Sequence, residues 1–347
     1  MLLSGRIPYI DALRGFAILL VIAGHVIQTL YGTDGLVFRC IYSFHMPLFM
    51  FLSGFVSYKA TTSKSVGKRF LQLIVPFFCY NVIAFFVDGS AGISLREFAV
   101  FNLRIILRPD LGLWFLWVLF FIHTLFICCR KTAAALKIDE RIIVLAILGG
   151  LNFIELITRT DLLGFHWIAW YFIFFSAGVY IRPFSQTKHV GLDQGLLTGS
   201  AVLFPVCVYF FRLQTCITPP LQVLPGIDLE PYLSIFYRLW VAALGIVLFY
   251  EIFKWTVTVG TSYCAKILIA LGRETLGLYF VHCLIINLAI TPFVSGLGLI
   301  PVWTVLTIGV VLTAVSYLIV KLLRRNRLTR LLVLGDYDML QKIVNFI

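Results

Sequence analysis

Charged residues are scarce in this sequence. Of its 347 residues, 13% are charged, whereas 61% are hydrophobic and 16% are aromatic. A typical soluble domain has about 25% charged and about 45–50% apolar residues. A water-soluble globule could not cover so much apolar surface, so the composition excludes a soluble enzyme or binding module and favours a protein that lies mostly in lipid.

Acidic residues are the scarcer of the two charge types, with 16 Asp and Glu against 28 Lys and Arg, for a net charge of +12. A nucleic-acid-binding surface collects its basic residues on one face or along one helix. Here the basic residues form short clusters between apolar runs, which argues against a nucleic-acid partner. The pattern is typical of a membrane protein with basic loops.

Several motifs of soluble catalytic and metal sites are missing. The eight cysteines include no C-x-x-C pair, and we interpret them as free thiols that act as small apolar residues. The histidines show no H-x-x-H spacing, so no metal is expected. Ser53 and Gly54 lie outside any G-x-S-x-G nucleophile elbow, and we interpret them as a small-residue contact between helices.

Apolar runs close to the length of a membrane span recur along the chain. A transmembrane helix needs roughly 20 mostly apolar residues. We therefore predict ten spans, at 9–31, 36–58, 71–88, 113–129, 142–158, 166–182, 192–212, 232–253, 275–293 and 301–323. The predicted fold is an all-α, polytopic integral membrane protein, with long connections at 89–112 and 213–231.

The distribution of basic residues predicts the orientation in the membrane. Cytoplasmic loops are enriched in Lys and Arg. With ten spans and an internal N-terminus, most of the 28 Lys and Arg residues fall on the cytoplasmic side. We therefore expect both termini in the cytoplasm, and a single membrane-embedded domain over residues 1–347 with no fused soluble domain.

The first predicted span contains two basic residues, Arg14 and His25. An Arg at a helix centre costs roughly 2.5–3.5 kcal/mol on insertion scales, which selects against it unless it has a task. Eleven residues amount to about three turns plus about 20°, so both side chains leave the same helix face, about 16 Å apart along the axis. Such a face can line a wet channel. Alternatively, Arg14 pairs with Asp11 or reaches the interface, and His25 hydrogen-bonds a neighbouring helix.

The second predicted span contains His45, two residues before Pro47. A proline inside a helix frees a backbone carbonyl and kinks the helix. Because this span enters from the opposite side, His45 can reach the depth of His25. Two histidines at one depth can form a proton relay or bind a metal, and the spacing does not favour the metal.

Five segments occur in one order along the chain. They are D-A-L-R at 11–14 with His25, F-H-M-P-L-F-M-F-L-S-G-F at 44–55, K-R-F-L-Q-L-I-V-P-F at 68–77, L-W-F-L-W at 113–117, and L-G-R-E-T-L-G-L-Y-F-V-H at 271–282. Together they resemble acyltransferase family 3, membrane-bound O-acyltransferases that modify glycans. Two positions depart from the family: Gln72 stands where an Arg is common, and Glu274–Thr275 where a Ser is common. Because Gln72 is neutral, it weakens the case for a full basic cluster that binds phosphate.

The resemblance implies a reaction and its participants. The donor would be acetyl-CoA from the cytoplasm, and the acceptor a hydroxyl of a lipid-linked or nascent surface glycan, such as O-antigen, capsule or exopolysaccharide, at a bacterial inner membrane. His25 would be the general base, with an acetyl-His25 intermediate less favoured. The further catalytic candidates are His45 and His282, and the contacts to CoA phosphates would be Arg14, Lys68 and Arg69.

Two other classes of function stay open. Buried His and Arg residues in a protein of ten spans would also suit a proton-coupled transporter that exports a glycan or a small solute. A membrane sensing or serine-handling module is the other alternative, and the expected lack of a fused soluble domain argues against it. Consumption of acetyl-CoA distinguishes an acyltransferase from the transporter.

Overall fold

The computed structural model describes eight stretches of the chain, and every regular element within them is a helix. These stretches are 6–33, 35–59, 63–88, 94–186, 190–213, 230–260, 262–291 and 301–336. The α-helices are α1 Pro8–Tyr31, α2 Leu36–Val56, α3 Ser63–Arg69, α4 Val75–Asp88, α5 Leu95–Leu107, α6 Trp114–Leu136, α7 Glu140–Thr158, α8 Phe165–Ile181, α9 Val190–Phe210, α10 Glu230–Val259, α11 Tyr263–Gly272, α12 Thr275–Ile285, α13 Val302–Leu323 and α14 Arg327–Leu332. Wider π-helical turns follow α3 at Phe70–Ile74 and α12 at Ile286–Ile290.

Eight helices in the described stretches are long and apolar enough to cross a bilayer. Their bounds are Pro8–Tyr31, Leu36–Val56, Ser65–Val87, Trp114–Leu136, Glu140–Thr158, Leu162–Ser185, Leu233–Thr258 and Trp303–Leu323. A pair of helices bent by 80°, Tyr263–Gly272 and Thr275–Ile290, makes up to nine. The predicted all-α, polytopic membrane fold is therefore confirmed.

The number of spans and the orientation stay predictions. The predicted span 192–212 contains an apolar helix, Gln194–Phe210, that is shorter than the eight. Residues 1–5 and 337–347 lie outside the described residues, as do residues 214–229 of the predicted connection 213–231.

The predicted connection 89–112 contains a helix that the apolar runs do not reveal. Helix α5 has only 13 residues, too few to cross a bilayer. It starts at an S-x-x-E sequence, in which the side chain of Ser94 accepts a hydrogen bond from the backbone N–H of Glu97 at 3.1 Å. A Ser followed three residues later by a Glu is a known start signal for a helix, so the sequence did contain a signal for α5.

The chain divides into two compact units. The first unit comprises residues 1–49 and 187–317, and the second unit comprises residues 50–186 and 318–347. In the first unit, α1 packs against α10, α11 and α12. In the second unit, α6 packs against α7 and α8. The predicted site residues are divided between the two units.

Glycines set the contact between α1 and α11 in the first unit. A Cβ atom on Gly15 would lie 1.9 Å from the carbonyl oxygen of Leu268, and one on Gly272 would lie 1.8 Å from the carbonyl oxygen of Asp11. Only glycine fits at such distances, and small residues of this kind let two helices in a membrane approach closely. The contact fixes the position of α1 one residue after Arg14.

The second unit has a glycine contact of the same kind, between the end of α2 and α8. A Cβ atom on Gly54 would lie 1.9 Å from the carbonyl oxygen of Phe175, and one on Gly178 would lie 1.9 Å from the carbonyl oxygen of Phe51. The interpretation of Gly54 as a small-residue helix contact is therefore confirmed.

Candidate active site

Arg14 is held by the start of α12 in the first unit. Its Nη2 donates a hydrogen bond to Oγ1 of Thr275 at 3.0 Å. Asp11, one turn before Arg14, forms an ion pair with Arg273 instead, with 3.5 Å between Oδ2 and Nε. The guanidinium of Arg14 is therefore fixed by a neutral hydroxyl, and its positive charge is not cancelled by that bond. Thr275 is one of the two positions where this chain departs from the family pattern, and it keeps a hydroxyl there.

His25 lies against His282 of α12. Nδ1 of His25 and Nε2 of His282 are 3.0 Å apart, and the two rings stack with centroids 5.2 Å apart and planes 24° apart. His282 is fully buried at 0% exposure, whereas His25 is half-buried. The structure thus brings together two of the three predicted catalytic histidines, from positions far apart in the sequence.

Hydrogen bonding determines which nitrogen of each ring carries the proton. Nδ1 of His282 lies 2.7 Å from the carbonyl oxygen of Leu278, and a carbonyl only accepts, so this nitrogen is the donor. In a neutral ring Nε2 of His282 is then the acceptor, and Nδ1 of His25 donates to it. His25 in this tautomer keeps a lone pair on Nε2, which is what a general base requires.

Cys283 is a third member of this cluster, and none of the sequence motifs singled it out. Its Sγ lies 3.5 Å from Nε2 of His282 and 4.0 Å from Nδ1 of His25. The single lone pair on Nε2 of His282 therefore faces two donors, the His25 ring N–H and the Cys283 thiol. The adjacent pair His282–Cys283 was the available sequence signal, but a cysteine in an apolar helix is usually a small apolar residue.

The same three side chains could hold a metal ion. The ligand atoms of His25, His282 and Cys283 all lie within 4.8 Å of one another. Three protein ligands with an open fourth position are typical of catalytic zinc, and a carbonyl that holds the second nitrogen of a ligating histidine is a common companion. Binding through Nδ1 of His25 would place the ring proton on Nε2 and remove the base.

His45 is buried in α2, in the part that belongs to the first unit. Its exposure is 2%, its Nδ1–H donates to the carbonyl oxygen of Ile41 at 2.8 Å, and Tyr42 packs edge-on against its ring. Among the described residues it makes no hydrogen bond to His25 or His282. The partner of His25 is therefore His282, and a catalytic role for His45 stays a prediction.

Lys68 and Arg69 lie at the end of α3, in the second unit. Arg69 donates from Nη1 to Oε1 of Gln72 and from Nη2 to Oγ of Ser57, both at 3.1 Å. Gln72, the other departure from the family pattern, thus fixes the neighbouring arginine with a neutral acceptor. The role of Lys68 and Arg69 in binding CoA stays a prediction.

His123 of α6 is the buried histidine of the second unit. It is 2% exposed, and neither ring nitrogen has a hydrogen-bond partner among the described residues. Arg130 of the same helix donates to the carbonyl oxygen of Tyr58 at 2.7 Å and pairs with Glu140 at 3.0 Å.

These features define an α-helical membrane protein of many spans, with an arginine and a hydrogen-bonded pair of histidines between facing helices. Residues 7–321 match acyltransferase family 3, described as an acyltransferase domain. The chain therefore belongs to acyltransferase family 3, and the resemblance seen in the five segments is confirmed.

Similar curated proteins cover a smaller part of the chain. The nodulation protein NolL of Mesorhizobium japonicum is 33% identical over 120 residues, which is 32% of this chain and 32% of that protein. NolL of Sinorhizobium fredii is 33% identical over 125 residues, or 31% of this chain and 32% of that protein. The chain spans about a third of the length of each relative. No solved structure matches.

Proposed function

We propose that this protein transfers an acetyl group from cytoplasmic acetyl-CoA to a hydroxyl of a cell-surface glycan at a bacterial inner membrane. The acceptor would be a lipid-linked or nascent O-antigen, capsule or exopolysaccharide. The observation that best supports the proposal is the hydrogen bond between His25 and His282, which leaves Nε2 of His25 available as a base. Membership of an acyltransferase family supports the class of reaction.

His25 is the general base of the proposed reaction. Transfer of an acyl group to an alcohol needs a base for the hydroxyl proton and donors for the developing oxyanion. Nε2 of His25 takes that proton, and the resulting imidazolium donates from Nδ1 to His282. His282 is held in turn by the carbonyl of Leu278. This chain of bonds fixes the ring and its tautomer, as the third member of a catalytic triad does.

Arg14 is the proposed anchor for the phosphates of CoA. A guanidinium is always protonated and can bind phosphate through two parallel N–H groups. The bond to Thr275 uses Nη2 of Arg14, which leaves other N–H groups for an anion. The rise of about 16 Å along α1 from Arg14 to His25 suits an extended pantetheine arm. Lys68 and Arg69 are proposed as further phosphate contacts.

The test is replacement of His25 by Ala, with O-acetyl groups followed by NMR on isolated surface glycan. Loss of the base should reduce transfer by about 10²–10⁴-fold, while the amount of protein in the membrane stays normal. The matched control is His166→Ala, because His166 pairs with Glu155 in the second unit and has no place in the proposed reaction.

Release of CoA separates this proposal from transport. Purified wild-type protein with acetyl-CoA and glycan should release CoA, and a proton-coupled exporter should release none. Full glycan acetylation in His25→Ala would rule out His25 as the base.

A further inference from the structure

Cys283 is the thiol of the cluster. Its Sγ lies 3.5 Å from Nε2 of His282 and 4.0 Å from Nδ1 of His25, and it is half-buried like His25, so part of its surface stays accessible. His282 is fully enclosed and can only pass protons between its neighbours. A thiol beside an imidazole that can take its proton is the arrangement that activates cysteine as a nucleophile.

We propose that Cys283 accepts the acetyl group from acetyl-CoA and holds it as a thioester until the acceptor hydroxyl attacks. This inference rests on the proposed function, since it names the intermediate of that reaction. It makes the reaction ping-pong: CoA leaves before the acceptor reacts. Such an intermediate suits a donor and an acceptor that reach one site from opposite faces of a membrane.

In the first half-reaction, Sγ of Cys283 attacks the thioester carbon of acetyl-CoA. The step starts once the proton of His25 has moved from Nδ1 to Nε2, so that Nε2 of His282 is free to accept from the thiol. The thiol proton then passes to Nε2 of His282 and on to Nδ1 of His25, and Nε2 of His25 gives its proton to the departing CoA sulfur. One carbon–sulfur bond forms and one breaks, so the products are acetyl-Cys283 and the CoA thiol. His25 ends with its proton on Nδ1.

In the second half-reaction, His25 therefore starts in the tautomer whose Nε2 is free. Nε2 takes the proton of the acceptor hydroxyl while its oxygen attacks the acetyl carbon. Nδ1 of His25 returns its proton through Nε2 of His282 to the leaving Cys283 sulfur. A carbon–oxygen bond forms, the carbon–sulfur bond breaks, and the thiol and both rings return to their first state.

This cycle explains why one lone pair faces two donors. In the structure His25 donates to Nε2 of His282; in the state that reacts with acetyl-CoA the thiol is the donor, and in the acetyl-enzyme the thiol proton is gone and His25 donates again. A bound metal would occupy all three lone pairs at once and leave no ring nitrogen to act as base. The cluster fits proton transfer and acyl transfer better than a permanent metal site.

The experiment uses the purified full-length protein with acetyl-CoA alone, without an acceptor. Isotopically labelled CoA should exchange into acetyl-CoA, and mass spectrometry should find one acetyl group on the peptide that contains Cys283, removable by hydroxylamine. Cys283→Ala should lose both exchange and label. The matched control is Cys40→Ala, a half-buried cysteine of the first unit outside the cluster, which should keep both.

Three outcomes would overturn the proposal: full glycan acetylation in cells with Cys283→Ala, an acetyl group on His25 instead, or a stoichiometric metal that is lost in this variant. Because the alanine variant can misfold, Cys283→Ser serves as a second test; it should bind acetyl-CoA like the wild type and exchange far more slowly. If glycan acetylation proves independent of the gene while Cys283 still becomes acetylated, the glycan proposal fails and the cysteine intermediate stands.

Discussion

Each of the two compact units buries a histidine in an apolar helix. The two histidines differ in their hydrogen bonds. His282 in the first unit is 0% exposed, and both of its ring nitrogens have partners, in Leu278 and His25. His123 in the second unit is 2% exposed, and neither nitrogen has a partner among the described residues. In local composition the two look alike, since each is a single histidine among apolar residues, and only the resemblance to the family distinguishes His282.

The difference shows that burial alone does not identify a functional histidine. A buried polar group without a hydrogen bond costs roughly 1–3 kcal/mol, so His123 reduces stability unless something else binds it. The bonds of His282 fix the tautomer of a second histidine, and that is the property a catalytic site needs. Four changes would test this comparison, ordered from the largest expected effect to the smallest.

Replacement of His282 by Ala should produce the largest loss. Without the acceptor at Nε2, His25 no longer has a fixed ring orientation or tautomer, and acetyl transfer should fall by roughly 100-fold. His282→Gln places a side-chain oxygen that can accept from Nδ1 of His25, and it should recover part of the activity. Glycan O-acetylation measured against the amount of membrane-inserted protein checks this. Equal losses in the Ala and Gln variants would reduce His282 to a packing role.

Replacement of Gly15 by Ala should separate α1 from α11. The added methyl would lie 1.9 Å from the carbonyl oxygen of Leu268, and overpacking of this kind costs about 1–3 kcal/mol or more. Gly54→Ala in the second unit should destabilise to a similar degree. Thermal unfolding in detergent measures both. The control is Gly149→Ala in α7, where the new methyl meets nothing within 4 Å; a loss of stability there equal to that of Gly15→Ala would contradict the interpretation.

Replacement of Thr275 by Val should weaken the binding of acetyl-CoA. The variant removes the hydroxyl that holds Arg14, and a hydrogen bond to a charged group contributes about 1.5–3 kcal/mol. The KM for acetyl-CoA should rise about tenfold at the lower end of that range, with a smaller change in kcat. Thr275→Ser keeps the hydroxyl and should behave like the wild type. A kcat effect with an unchanged KM would assign Arg14 to the reaction step.

Replacement of His123 by Leu should have the smallest effect and the opposite sign. The leucine removes two unsatisfied polar atoms from a buried position, and the protein should gain about 1 kcal/mol of stability with no loss of acetyl transfer. The same thermal measurement in detergent, paired with CoA release, checks this. If the variant loses activity instead, His123 has a ligand or a proton-transfer role and the contrast between the two histidines disappears.

Local patterns in the sequence predicted much of the fold. Apolar runs located the long helices, because a membrane span needs a known length of apolar residues. The period of the α-helix placed Arg14 and His25 on one face, and their partners Thr275 and His282 both belong to α12. Helix α5 was missed because its 13 residues are too few to span a bilayer.

Contacts between distant parts of the chain could not be predicted. The bend of 80° between α11 and α12 is not marked by a proline or a long polar stretch, and the predicted span 275–293 included only the second helix. His25 and His282 meet because α1 and α12 pack together, and no local pattern encodes that pairing. Cys283 was overlooked for the same reason, since only the position of His25 makes it notable.

The glycine contact between α1 and α11 also fixes the register of the site. Gly15 is held against the backbone of Leu268, so the position of His25 depends on the ten further residues of a rigid helix. Each residue added to an α-helix rotates the rest of the helix by about 100° and shifts it by about 1.5 Å along the axis. A single insertion between Gly15 and His25 would leave Arg14 at Thr275 and turn the imidazole away from His282, so the chain tolerates substitutions in this segment far better than changes in its length.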